Sequence, residues 1–126
     1  MSVETTVPED EQAGPGLFIH AGGPLEQDAF VGILRSAANA RAALGLEAGI
    51  EVVVQGPGVK LLAQNSPAAE ASTNAGQLGV DILACGNSMR SAGMGDKDLA
   101  PGVGTVPAAI AHLAQRQWEG WAYARL

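Results

Sequence analysis

Ile50-Glu51-Val52-Val53-Val54-Gln55-Gly56-Pro57-Gly58 decides the fold class. Val52-Val53-Val54 does not alternate with polar residues, which is the pattern of a strand covered on both faces, as in parallel sheets. Gly56-Pro57-Gly58 turns that strand into a short helix, Val59-Lys60-Leu61-Leu62. Upstream, Leu17-Phe18-Ile19-His20 is a short strand stopped at Ala21-Gly22-Gly23. Pro24 suits the first turn of a helix, where a missing N–H costs nothing. Over residues 24–44, Phe30, Ile33, Leu34, Ala37, Ala40 and Leu44 recur at helical spacing. Arg35, Asn39 and Arg41 lie away from the centre of that stripe, and Gly45 is a C-terminal stop.

Downstream the alternation continues. Pro67 opens a helical stretch to about Leu78, and Val80 to Ala84 is a third strand, apolar apart from Asp81. Cys85-Gly86-Asn87-Ser88 enters a short helix ending near Gly93, and residues 96–102 form a loop. Val103 to Val106 is a fourth strand. Pro107 starts a last helix with Ile110, Leu113, Ala114 and Gln117 on its buried face and Gly120 as its stop; Trp121 to Ala124 is a fifth strand. Strand–helix alternation throughout predicts an α/β layer fold with a mostly parallel five-stranded sheet.

The chain of 126 residues suits one domain. Alanine (23 residues) and glycine (17) dominate while aromatics are few, so the core is built from small side chains and gains from subunit contacts. Residues 1–16 hold Glu4, Glu9, Asp10 and Glu11, no base and no apolar period, and read as an acidic flexible tail. The domain proper is residues 17–126, nearly balanced at nine acids and seven bases. That balance points to neither nucleic acid nor an anionic membrane. No apolar run approaches a transmembrane span and the N-terminus lacks signal-peptide character, so a cytoplasmic location is expected. One cysteine excludes an intramolecular disulfide.

Familiar motifs are absent. There is no complete dinucleotide fingerprint, Walker loop, His-Glu-x-x-His or nucleophile elbow, and nothing calls for a metal or a cofactor. His112, two positions after Ile110, falls on the polar helix face with Gln115 and Glu119 and reads as solvated. Cys85 is the most informative residue. It ends the third strand at the start of a helix, on the sheet edge where ligands gather in open α/β proteins. The amides of Gly86, Asn87 and Ser88 are free to favour its thiolate. A small buried hydrophobe is the competing reading, because free cysteine is often buried. His20 and Gln55 end the first two strands on the same edge, and the Gly22-Gly23, Gly56 and Gly58 turns offer backbone N–H groups for an anion. Tight turns alone also explain those glycines, and a loop hydrogen bond explains His20.

Three blocks carry a resemblance: Ile50 to Leu62, Val80 to Arg90, and Val106-Pro107 through Gln117-Trp118-Glu119-Gly120-Trp121-Ala122-Tyr123. Over residues 17–126 the chain resembles the DsrE/DsrF-like family, in its branch of small single-domain members. The resemblance implies a three-layer α/β/α, flavodoxin-like fold assembled as homotrimers or homohexamers. Relatives in sulfur oxidation and tRNA thiolation relay sulfur as a cysteine persulfide on a cysteine that Cys85 matches, between partner donor and acceptor proteins. The implied function is a sulfur carrier on Cys85, with Gly86, Asn87 and Ser88 stabilising the anion and His20 shuttling a proton. Gln55 stands where members of this branch often carry His. The alternative is an oligomeric small-ligand-binding module with a structural cysteine.

Overall fold

The computed structural model describes residues 15–126. The strands are β1 (Gly16–Ala21), β2 (Gly49–Val54), β3 (Val80–Cys85), β4 (Gly104–Val106) and β5 (Ala122–Arg125). The α-helices are α1 (Gln27–Leu44), α2 (Ala69–Gln77), α3 (Gly86–Ser91) and α4 (Ala109–Trp118), with 3-10 turns over Gly56–Leu62 and Asp96–Asp98. One sheet runs in the order β4-β3-β2-β1-β5, every neighbouring pair parallel. Of the predicted tail over residues 1–16, residues 1–14 lie outside the described residues. Its predicted last residue, Gly16, is already in β1, paired with Gly49.

Side chains alternate between two unequal layers. One sheet face carries Ile19, Ile50, Val52, Val54, Val80 and Ile82 against Phe30, Ile33, Leu34 and Ala37 of α1, with Ala75 of α2 and Val59 and Leu62 of the first 3-10 helix. The other face carries Phe18, Val53, Cys85 and Val106 against Ala109, with α4 its one helix among the described residues. The arrangement follows from right-handed crossovers. β1 to β4 step in one direction and put their helices on one face; the return to β5, beside β1, puts α4 on the other. The strand order therefore reverses between β1 and β5.

Two long side chains depart from the sequence reading. Arg41 is buried rather than off the apolar stripe, and Leu44 is exposed. Arg41 donates to the carbonyls of Leu78, Gly45, Ala48 and Gly79 at 2.7–2.9 Å, tying the end of α1 to the turns before β2 and β3. Those carbonyls would otherwise lack partners at a crowded corner.

The larger correction is the face of α4. Ile110 is 61% exposed and Gln117 is exposed, while Ala109, His112, Leu113 and Arg116 turn toward the sheet. The cause is Glu51, a carboxylate 4% exposed on that sheet face. Arg116 grips it with both oxygens engaged, Nε to Oε1 at 3.1 Å and Nη2 to Oε2 at 2.5 Å, and His112 Nε2 donates to Oε1 at 2.7 Å. An unpaired buried carboxylate costs far more than an exposed isoleucine, so the ion pair sets the rotation of the helix. Trp121 completes the clamp. Its ring lies under Arg116, 4.3 Å from ring centroid to guanidinium carbon, and covers Gly16 and Gly49, where a Cβ would come within 2.0 and 2.8 Å of the indole.

Burial opposes ionisation of Glu51, but the hydrogen bonds and charge of Arg116, with those of His112, outweigh it and hold its carboxyl below the ordinary range. The folded state therefore binds this proton less readily than the unfolded chain. The stabilisation is complete above the ordinary carboxylate pKa and is lost as pH falls through the lowered folded value. Urea unfolding across pH 7 to 3 should show this acid loss in the wild type and a shallower one in Glu51→Gln. Arg116→Met should cost about 3 kcal/mol at pH 7, because it strips a buried charge of its main partner.

Candidate functional site

Cys85 closes β3 and serves as the N-cap of α3. Its sulfur sits between the first turns of two helices. Gly86 makes this possible, since a Cβ there would lie 3.1–3.2 Å from the carbonyl oxygens of Val106 and Pro107. That close approach lets the β4–α4 connection fold over the sulfur, and the Ala109 amide donates to Cys85 Sγ at 3.4 Å. Burial raises the thiol's pKa, but hydrogen bonding from the Ser88 hydroxyl and amide, then from the Ala109 and Asn87 amides, outweighs it and leaves the thiol below its ordinary value. With only six residues, α3 has a small macrodipole. The nearby N–H and O–H groups do the work.

Ser88 gives this network a direction. The Gly56 amide donates to Ser88 Oγ at 2.7 Å. That bond occupies an acceptor site and leaves the hydroxyl's one proton free for another partner. Gly56 has φ +85°, a conformation that favours glycine, and its α-carbon lies against the Gly22-Gly23 turn. Gly58 has a different part: a Cβ there would lie 2.9 Å from Leu25, so this glycine serves close packing.

His20 is buried on the same sheet face, and its partners are Tyr123 and Gln55. Gln55 Oε1, 2.8 Å away, can only accept, so Nε2 carries a proton. The Tyr123 hydroxyl lies 2.8 Å from Nδ1, and with neutral His20 it donates there. Phe18 packs against the rings of His20, His112 and Tyr123 at centroid distances of 5.8–6.0 Å. β2 separates β1 from β3, so His20 and Cys85 stand two strand spacings apart, about 10 Å laterally. Gln55 lies between them, one residue beyond the Val54–Ala84 pair and therefore beside Cys85 in register. The edge thus holds two groupings, Cys85 with Ser88, Asn87 and Ala109, and His20 with Gln55 and Tyr123. Sequence reading missed Ala109 and Tyr123. Neither has a local signal, being 24 and 103 residues from its partner.

A cavity of ≈ 340 Å³ opens between α3 and the first 3-10 helix, lined by Gly56, Pro57, Lys60, Asn87, Ser88, Ser91 and Ala92. Three of the expected anion-site residues, Gly56, Asn87 and Ser88, line it; Gln55, Gly58 and Gly86 do not. Among the described residues no cluster of His, Cys, Asp or Glu is arranged to hold a metal, and no helix is long and apolar enough to cross a membrane.

A five-stranded parallel α/β sheet with a single thiol at the carboxyl end of β3 defines the class of fold. The chain belongs to the DsrE/DsrF-like family, whose model matches residues 28–124. Among solved structures it is similar to MTH1491 of Methanobacterium thermoautotrophicum, a protein of unknown function. The identity is 31% and the TM-score 0.81, over 88% of this chain and 98% of that one. The same fold appears in the ychN protein of E. coli at 15% identity and TM-score 0.72, over 89% and 99% of the two chains. It appears again in BT1422 of Bacteroides thetaiotaomicron, of unknown function, at 19% and 0.70, over 88% and 94%. A search of curated proteins finds no match.

Removing the Ser88 hydroxyl tests the network. Ser88→Ala should raise the apparent pKa of Cys85 and slow its alkylation by iodoacetamide at neutral pH. The rates should converge at a pH where both thiols are fully ionised. A pH–rate profile measures both.

Proposed function

We propose that this protein is a cytoplasmic sulfur carrier that holds sulfane sulfur as a persulfide on Cys85. The observation that carries the reading is the convergence of N–H and O–H donors on one thiol, at the carboxyl edge of the sheet in a DsrE/DsrF-like protein. In loading, the Cys85 thiolate attacks the outer sulfur of a donor, the donor's S–S bond breaks, and the donor thiolate leaves with the electron pair. In unloading, an acceptor thiolate attacks the outer sulfur of Cys85–S–SH and Cys85 leaves as thiolate. Sulfur moves without net oxidation and without a cofactor. Gly86 permits the close packing, while Asn87 and Ser88 stabilise the anion. His20, held by Gln55 and Tyr123, serves as the proton shuttle.

The second reading, a ligand-binding module with a structural cysteine, is favoured by one observation: Cys85 is only 2% exposed. Incubation with inorganic polysulfide followed by intact-mass measurement separates the two. The carrier reading expects a gain of one sulfur, absent in Cys85→Ser, and a Cys85→Ser protein that keeps its fold. No gain, together with a destabilised Cys85→Ser, selects the module.

Assembly belongs to the same proposal. Trp118 is 82% exposed and Ile110 61%, at opposite ends of α4 and both turned away from the Glu51 clamp. Aromatic groups are enriched in interface cores, and a homotrimer or homohexamer would cover them. Light scattering should give the oligomer for the wild type and a smaller species for Trp118→Glu.

A further inference from the structure

Cys85 is 2% exposed, so a reagent reaches its sulfur only after part of the cover moves. The first turns of two helices form that cover. α3 is fixed in place: the Gly56 amide donates to Ser88 Oγ at 2.7 Å, and Met89 is buried in the larger core. α4 has no such anchorage. Ala109 is its one buried residue, Leu113 is only partly buried, and its N-cap, Ala108, makes no side-chain cap hydrogen bond. β4, from which the chain enters α4, is a three-residue strand at the edge of the sheet. Elements with few buried apolar contacts open locally at lower cost than the core. The firmest attachment of α4 is polar, the grip of His112 and Arg116 on Glu51. That grip lies about one and two turns beyond Ala109, whose amide meets the sulfur at 3.4 Å.

We infer that α4 is a lid over Cys85 and that the Glu51 carboxylate is its latch, a regulation of access to this thiol that rests on the carrier reading. In the closed state Arg116 and His112 hold Glu51, and the first turn of α4 covers the sulfur. In the open state both side chains leave the carboxylate, the first turn of α4 lifts, and the thiolate meets its donor. Closure then shields a loaded sulfur from solvent thiols. The latch is a charge rather than an apolar contact, so its strength is set by three hydrogen bonds to one carboxylate and not by the packing of the core.

Iodoacetamide labelling of Cys85 in increasing urea reads the opening, at a pH where the thiol is fully ionised so that a change in its pKa has no effect. Local opening exposes little surface and depends weakly on urea, whereas global unfolding exposes much and depends on it steeply. The wild-type rate should be nearly flat at low urea and then join a steep limb that tracks unfolding followed by tryptophan fluorescence. Glu51→Gln keeps the side chain's shape and removes its charge. It should raise the flat rate roughly tenfold or more, the scale of losing a charge-assisted hydrogen bond. His112→Gln, which removes one of the three bonds, should raise it less. Ser88→Ala, which frees α3 from Gly56, should leave the flat rate unchanged. A wild-type rate that follows the steep limb at every urea concentration overturns the inference. So does a flat rate that ignores Glu51→Gln, or one that moves with Ser88→Ala instead. If polysulfide loads Cys85 while the flat rate ignores Glu51→Gln, the carrier stands and the lid falls. If the flat rate follows Glu51→Gln while polysulfide fails to load Cys85, the carrier reading falls and the lid stands.

Discussion

A single buried carboxylate organises the thinner half of this molecule. Glu51 sits on a sheet face that α4 must cover, and its charge is balanced only when Arg116 and His112 point inward. Fixing those two residues, one helical turn apart, fixes the rotation of α4. Rotation in turn places Ala109, at the start of the helix, with its amide toward Cys85 Sγ. The charge on β2 and the environment of the sulfur on β3 are therefore linked through the rigid body of one ten-residue helix. A purely apolar contact would have left that helix freer to turn, since Ile110 offers a rival apolar position on its outer face.

The sheet order explains why the edge carries two groupings. The Cys85 grouping gathers where β3 and β4 end, between the first turn of α3 and the first turn of the return helix α4. The His20 grouping forms where β5 joins β1, at the point of reversal, where open α/β sheets leave a crevice. Tyr123 reaches His20 only because β5 pairs with β1 in register, Phe18 with Tyr123 and His20 with Arg125. Gln55 is the residue common to both ends, bonded to His20 and adjacent in register to Cys85.

Most of the fold was legible because its signals are local. The apolar runs of β2 and β3, the glycine and proline punctuation, and the stripe of α1 from Phe30 to Ala37 each lie within a few turns of chain. What was not legible depended on partners far away in sequence. The face of α4 was misread because its pattern holds two stripes, and the choice between them is made by Glu51, 61 residues from His112 and 65 from Arg116. Arg41 reads as a surface base until the carbonyls of Leu78 and Gly79 are brought to it. At the site, Cys85, Ser88, Asn87, Gly56, His20 and Gln55 all stand at strand ends, as the alternation implied. Their partition into two groupings required the strand order.

The chemical environment of Cys85 suits a group that must both receive and release sulfur. Lowering a thiol's pKa raises the thiolate fraction near neutral pH by up to about tenfold per unit. It lowers the intrinsic nucleophilicity of that thiolate only about threefold per unit, for a Brønsted coefficient of about 0.4–0.5. The receiving step therefore gains until the pKa nears ambient pH. The releasing step gains further, because a less basic thiolate leaves faster. Dipolar donors give a shift of that kind. A cation locked onto the sulfur would hold the thiolate more tightly and resist its conversion to a persulfide. In the proposed carrier the amides of Asn87, Ser88 and Ala109 and the hydroxyl of Ser88 lower the thiol's pKa.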